Sequence, residues 1–165
     1  TLKKAEDSFS DFASVNKKMK VVKCRAVATS ATREAQNKAQ FLDRIKQTSG
    51  INLEIIDGQV EAQLIYEAVR HHVDLRKKQA LLIDVGGGSI EITHSDQGKI
   101  KSSQSFQLGT VRLLEHLKNR KMTEEHIKIV LGDQLKPVIE HFDAHLSGIA
   151  FDFAVGTGGN LECIA

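Results

Sequence analysis

Apolar residues recur three and four positions apart from Thr1 to about Met19, with Leu2, Ala5, Phe9, Phe12 and Ala13 on one side. That period predicts an amphipathic helix. Val21 to Ala28 reads as a strand. Ser30 stands where an N-cap belongs, ahead of Arg33 and Glu34. The helix it opens carries Ala35, Ala39, Leu42 and Ile45. Ser49-Gly50 closes that helix, and Gly50 suits the left-handed residue that follows a helix. Ile51 to Ile56 is a second strand, and Asp57-Gly58 is a turn signal. Gln59 to about His72 is a helix with Ala62, Ile65, Tyr66 and Val69 inward.

The pattern then changes period. Leu81 to Ile83 is an apolar run, Gly86 to Gly88 interrupts it, and Ile90, Ile92 and His94 alternate with Glu91 and Thr93. The apolar run predicts a buried strand before the glycines, and the period of two predicts a second strand after them. Asp96-Gln97-Gly98 turns the chain into a third strand, about Ile100 to Gln107. Leu108-Gly109-Thr110 starts a helix through about Leu117. Met122-Thr123-Glu124-Glu125 opens another, with Thr123 as its N-cap and Pro137 expected to kink or interrupt it. Phe151 to Val155 is a last strand, ending in Gly156-Thr157-Gly158-Gly159-Asn160. The order is βαβα, a three-strand meander, helices and a strand. It predicts an α/β fold with a mixed sheet, divided near Asp57-Gly58 into residues 1–57 and 58–165.

The glycine segment carries the chemistry. Asp84 is an anion at the end of a buried strand, where an unpaired charge is costly. The three glycines let several backbone N–H groups close on one ligand, and such a nest suits phosphate. A carboxylate beside it suggests a bridging Mg²⁺. A Rossmann or P-loop site would continue into a helix and place the anion on its N-terminus. Here a strand follows, and no Lys follows the glycines as a P-loop requires. The reading is a β-hairpin phosphate loop; a plain Gly-rich turn is the alternative.

Composition adds limits. The chain has 165 residues, 41% of them hydrophobic, and a formal net charge of +2. That charge gives no strong pull toward nucleic acid or a membrane surface, and no apolar run approaches the roughly 20 residues of a transmembrane helix. Cys24 and Cys163 lie far apart, without zinc spacing, and fit a reducing cytoplasm. The chain begins at Thr1 and shows no signal peptide. We expect a piece of a longer cytoplasmic protein.

Five segments in order resemble the exopolyphosphatase and guanosine pentaphosphate phosphohydrolase family, Ppx/GppA. They are Ala28-Thr29-Ser30-Ala31-Thr32-Arg33-Glu34-Ala35-Gln36-Asn37, Glu54-Ile55-Ile56-Asp57-Gly58-Gln59-Val60-Glu61-Ala62, Ile83-Asp84-Val85-Gly86-Gly87-Gly88-Ser89-Ile90-Glu91, Leu108-Gly109-Thr110-Val111-Arg112-Leu113 and Val155-Gly156-Thr157-Gly158-Gly159-Asn160. The resemblance implies the actin-like, ribonuclease H-like fold, with parts of two domains around a cleft that holds the site. It implies a phosphohydrolase, dimeric as the parent protein, acting with Mg²⁺ on polyphosphate or guanosine pentaphosphate. It assigns Glu61 to activating the attacking water and Asp84 to the metal. Arg33, Gly86, Gly87, Gly88, Ser89, Gly156, Gly158 and Gly159 become phosphate-binding residues.

The chain departs from the family pattern in three ways. The family's first phosphate motif, an Asp-x-Gly-Ser-like hairpin, would precede Thr1. Val60 stands where many relatives carry an acid. Ile90 replaces a common threonine, which we expect to affect packing. The isolated piece is accordingly expected to be inactive and prone to self-association. Competing readings are a non-catalytic phosphate or nucleotide sensor and an ATP-dependent kinase of the same fold group.

Plainer roles also remain open for single residues. Glu61 in a first helical turn complements the dipole. Arg33 can pair with Glu34 or Asp57. Arg112 reads as a solvated helix residue and Gly109 as a helix start. His71-His72 suits a helix end, and Arg76-Lys77-Lys78 a solvated loop. His141 and His145 share a helix face with metal-ligand spacing, but no third ligand is visible in the sequence, so exposed histidines is the leading reading.

Overall fold

The computed structural model describes residues 2–117 and 123–159. Thr1, Met122, Asn160 and Cys163 lie outside them. The chain divides into two compact units, Thr1–Asp57 and Gly58–Ala165.

The first unit contains α1 (Leu2–Lys18), β1 (Ala26–Ala28), α2 (Ser30–Glu34), α3 (Lys38–Ser49) and β2 (Leu53–Ile55). β1 and β2 pair in parallel, Ala26 opposite Leu53 and Ala28 opposite Ile55. The helix α1 packs on α3, where Arg44 meets Glu6 at 2.5 Å. Three expectations are corrected here. The Val21–Ala28 strand shrinks to its last three residues: Val21 and Val22 are exposed between lysines, and the short β2 offers no register for them. The helix expected from Ser30 breaks at Ala35, whose backbone is extended, and resumes at Lys38. Ser30 is its first helical residue, not its cap: Thr29 precedes the helix, and Ser30 Oγ donates to Glu34 Oε1 at 3.1 Å. Gly50 does close α3, at φ 71°.

The second unit contains α4 (Gly58–Arg70), β3 (Gln79–Val85), β4 (Ile90–Asp96), β5 (Lys99–Phe106), α5 (Thr110–Leu117), α6 (Glu124–His145) and β6 (Phe153–Thr157). Its sheet runs β5-β4-β3-β6, with β3-β4-β5 antiparallel and β6 parallel to β3. The expected α/β fold with a mixed sheet is what is found. Gln97 and Gly98, at φ 51° and 72°, form the tight turn between β4 and β5. Two positive φ values match the right-handed strand twist.

Alternation assigns each face. Ala80 and Leu82 point to one side, where Tyr66 and Val69 of α4 complete a core with Leu75. Leu81 and Ile92 point to the other, against Leu146 and Val138. Covered on both faces, β4 buries even Glu91, Thr93, His94 and Ser95.

Two boundaries differ from the sequence reading. The helix α6 runs unbroken through Pro137, so no interruption occurs. Thr123 caps it as expected, accepting from the His126 N–H at 3.3 Å. Gly156 and Thr157 belong to β6 and not to the loop after it, because they pair with Ile83 and Asp84. Among the described residues no helix is long and apolar enough to cross a membrane.

Candidate active site

Hairpin register builds the site. The loop Gly86–Ser89 is closed by the Gly86 N–H donating to Ser89 O at 3.0 Å. Val85 then faces Ile90, and Asp84 faces Glu91. Glu91 in turn faces Ser105, and Asp84 faces Thr157 on its other side. One polar row therefore crosses all four strands on the α4 face: Thr157, Asp84, Glu91, Ser105. Thr157 Oγ1 donates to Asp84 Oδ1, and Ser105 Oγ donates to Glu91 Oε1 at 2.7 Å. Glu91 is 2% exposed, and its Oε2 meets no hydrogen-bond partner among the described residues. Two carboxylates directly opposite each other repel. A cation between them would relieve that repulsion and satisfy the orphaned oxygen.

Beside the row, the loop has a fixed orientation. Its carbonyls point at the start of α5. Gly86 O accepts from the Thr110 N–H at 3.1 Å, and Gly87 O from Val111 at 2.9 Å and Arg112 at 3.2 Å. Gly88 O accepts from Arg112 Nε at 3.1 Å. These bonds satisfy donors that a helix start otherwise leaves open. They also determine where the loop amides point. Among the described residues all peptide bonds are trans, and in a trans planar unit N–H and C=O are antiparallel. The units whose carbonyls face α5 carry the N–H groups of Gly87, Gly88 and Ser89, so these point away from α5. Among the described residues no backbone acceptor meets them. Three consecutive donors left on one side would suit an anion.

Two glycines hold the loop's surroundings. A Cβ on Gly109 would lie 2.3 Å from Gly87 C and O and 2.4 Å from Gly88 N. A Cβ on Gly158, at φ 100°, would lie 2.4 Å from Val85 O. Gly158 thus sits against the end of β3. Gly159 has open space around it, and Gly156 lies within β6.

Glu61 is half-buried in the first turn of α4, with its Oε2 atom covered. Gly58, three residues earlier on the same helix face, stands against Ser105: a Cβ there would meet Ser105 Cβ at 2.5 Å. The α4 start that carries Glu61 therefore rests on the Ser105 end of the polar row. Arg33 lies in the first unit, where its Nη1 donates to Ile56 O at 2.6 Å. The sequence reading gave no role to Glu91, Ser105 or Thr157. For Glu91 a signal existed: a loop closed at Gly86 and Ser89 puts Asp84 opposite Glu91 by counting.

A second polar cluster lies on the other face of the sheet. His141 and His145 have ring centroids 4.8 Å apart, and the His141 ring packs edge-on against Phe106 at 5.5 Å. Burial, with the neighbouring His145, lowers the His141 pKa.

The profile of the Ppx/GppA phosphatase family matches residues 1–164. The guanosine-5'-triphosphate,3'-diphosphate pyrophosphatase of Aliivibrio fischeri is 26% identical over 162 residues, covering 96% of this chain and 32% of the relative. That of Photobacterium profundum is 28% identical over 159 residues, with the same coverage. Among solved structures, an exopolyphosphatase from Cytophaga hutchinsonii superposes with a TM-score of 0.86 at 28% identity, covering 99% of this chain and 53% of that one. The Aquifex aeolicus Ppx/GppA phosphatase, type II variant, gives 0.65 at 27% identity, covering 96% and 51%. The matched class is that of phosphatases, which are hydrolases. The chain belongs to the Ppx/GppA phosphatase family, and it spans about a third of the length of the curated relatives it matches.

Proposed function

We propose that the protein is a phosphohydrolase that releases the terminal phosphate of polyphosphate, with guanosine pentaphosphate as the alternative substrate. The observation that carries this reading is the set of amides at Gly87, Gly88 and Ser89 that face away from α5, beside the Asp84–Glu91 carboxylate pair. The names of the similar proteins point to these two substrates.

The donor set fits Mg²⁺. Asp84 and Glu91 offer hard oxygens, with Glu91 Oε2 lacking a partner among the described residues. No group of three or more His, Cys, Asp or Glu converges among those residues. Mg²⁺ does not need one, since one or two carboxylates plus substrate phosphates usually hold it. When bound, it would neutralise charge on the phosphate oxygens. The chain supplies the rest. The loop amides hold and orient the terminal phosphoryl group. Glu61 accepts a proton from water as the water oxygen attacks phosphorus and the bond to the leaving oxygen breaks. The phosphate role of Arg33 rests on the family pattern.

The test is Mg²⁺-dependent phosphate release by the intact protein from each substrate, with Glu61→Ala alongside. Loss of a general base is expected to lower kcat about a hundredfold or more. The faster substrate decides between the two. A folded protein that binds phosphate but releases none from either substrate would replace this reading with the sensor.

A further inference from the structure

His94, far in the sequence from His141 and His145, lines one cavity with them on the α6 face of the sheet. A cavity of about 560 Å³ is lined by His94, Asp96, Lys101, His141, His145 and Ile149, among others. Two of these, His141 and His145, come from successive turns of α6. The other polar groups come from β4 and β5. We infer that this cavity holds a binding site for a borderline divalent transition metal such as Zn²⁺ or Ni²⁺, with His141 and His145 as its chelating pair.

The geometry carries this. Two imidazole nitrogens that each sit about 2.0–2.1 Å from one tetrahedral ion lie roughly 3.3 Å from each other. Rings whose centroids are 4.8 Å apart can reach that arrangement by side-chain rotation, with no shift of the helix. The contact with Phe106 fixes the position of the His141 ring. The His145 ring is the exposed, adjustable partner. His94 occupies the opposite wall and is itself oriented. Its Nε2 meets Gln79 Oε1 at 2.6 Å, and its ring packs edge-on against Phe151. With the amide oxygen accepting, the proton sits on Nε2 and the Nδ1 lone pair is left as a ligand atom. Asp96, ion-paired to Lys101 at 3.5 Å, adds an oxygen donor at the rim.

Among the described residues no three ligands already stand in place. Water therefore completes the coordination around the imidazole pair, with Asp96 swinging in from the rim. Such a site is weaker than a structural zinc centre, which needs four preset ligands. Its ligand type also separates it from the candidate active site: imidazole suits Zn²⁺ and Ni²⁺, whereas carboxylate oxygens suit Mg²⁺. The two sites lie on opposite faces of the sheet, and His94 is three residues from Glu91, roughly 10 Å along β4.

The test is calorimetric titration of the intact protein with Zn²⁺, and separately Ni²⁺, in excess Mg²⁺. One saturable site is expected. His145→Ala should weaken it about tenfold or more, since a chelate loses one of its two fixed ligands. His145 is exposed, so this variant should fold. Glu91→Gln should leave the site unchanged. Shifts of the imidazole proton resonances on adding Zn²⁺, confined to His141, His145 and their neighbours, would give independent support. Absence of saturable binding, binding indifferent to His145→Ala, or binding removed by Glu91→Gln would overturn the inference.

Discussion

Gly109 shows how much one hydrogen can decide. Its place at the start of α5 is within van der Waals exclusion distance of the loop backbone, so a methyl group there cannot fit beside Gly87 and Gly88. Gly109→Ala should push the loop off α5 and break the bonds that aim its amides. We expect kcat to fall about a hundredfold, the usual cost of a lost oxyanion donor. The clash falls on the loop backbone and not on the strands, so the melting temperature should stay within a few degrees. Steady-state kinetics and a thermal scan of the same variant check both halves. From sequence, Gly109 reads only as a helix start, because close approach between segments that are twenty residues apart leaves no local pattern. Arg112 reads as a solvated residue for the same reason, yet its Nε holds the Gly88 carbonyl.

At the scale of elements, two exposed aspartates fasten the entry to β3. Asp74 accepts from the Arg76 side chain and backbone N–H, which holds its pKa at about 2. Asp152 accepts from the Gln79 N–H and from Lys78, and its pKa is also lowered. A depressed carboxylate pKa gives stability that is present above the unfolded value, about 3.9, and is lost as pH falls through the folded one. The melting temperature should therefore fall between about pH 5 and pH 2. Asp74→Asn should flatten that slope modestly, since exposed pairs contribute little. Thermal scans across this range read it. The elements themselves were largely legible. The apolar run gave β3, period two gave β4, the Asp96-Gln97-Gly98 turn led to β5, and Thr123 gave the start of α6. The misreadings came from tertiary choice: β1 is short because β2 is, and Gly156 is a strand residue because β3 offers it a partner. Nor could the sequence show that α6 would continue through Pro137.

At the scale of the molecule, apolar surface is left uncovered in both units. Phe12, Met19 and Val22 are 58%, 71% and 101% exposed, and Val111, Leu114, Ile129 and Ile139 are each more than half exposed. Side chains of this size on open surface favour association. The 165-residue polypeptide alone is expected to self-associate at micromolar concentration, and light scattering coupled to size exclusion will show it. A monodisperse monomer would contradict this. Chemistry is distributed more sparingly. The apolar core occupies the middle and entry of the sheet, and the row from Thr157 to Ser105 closes its other end. On the proposed reading, the loop beside that row would recognise phosphate with uncharged backbone. Such donors do not titrate, and salt screens them far less than it screens an exposed arginine. Within the loop only a substitution to proline would remove one of them directly. The information that sets the loop's shape is therefore stored outside it, in the glycine and the helix start that it leans on.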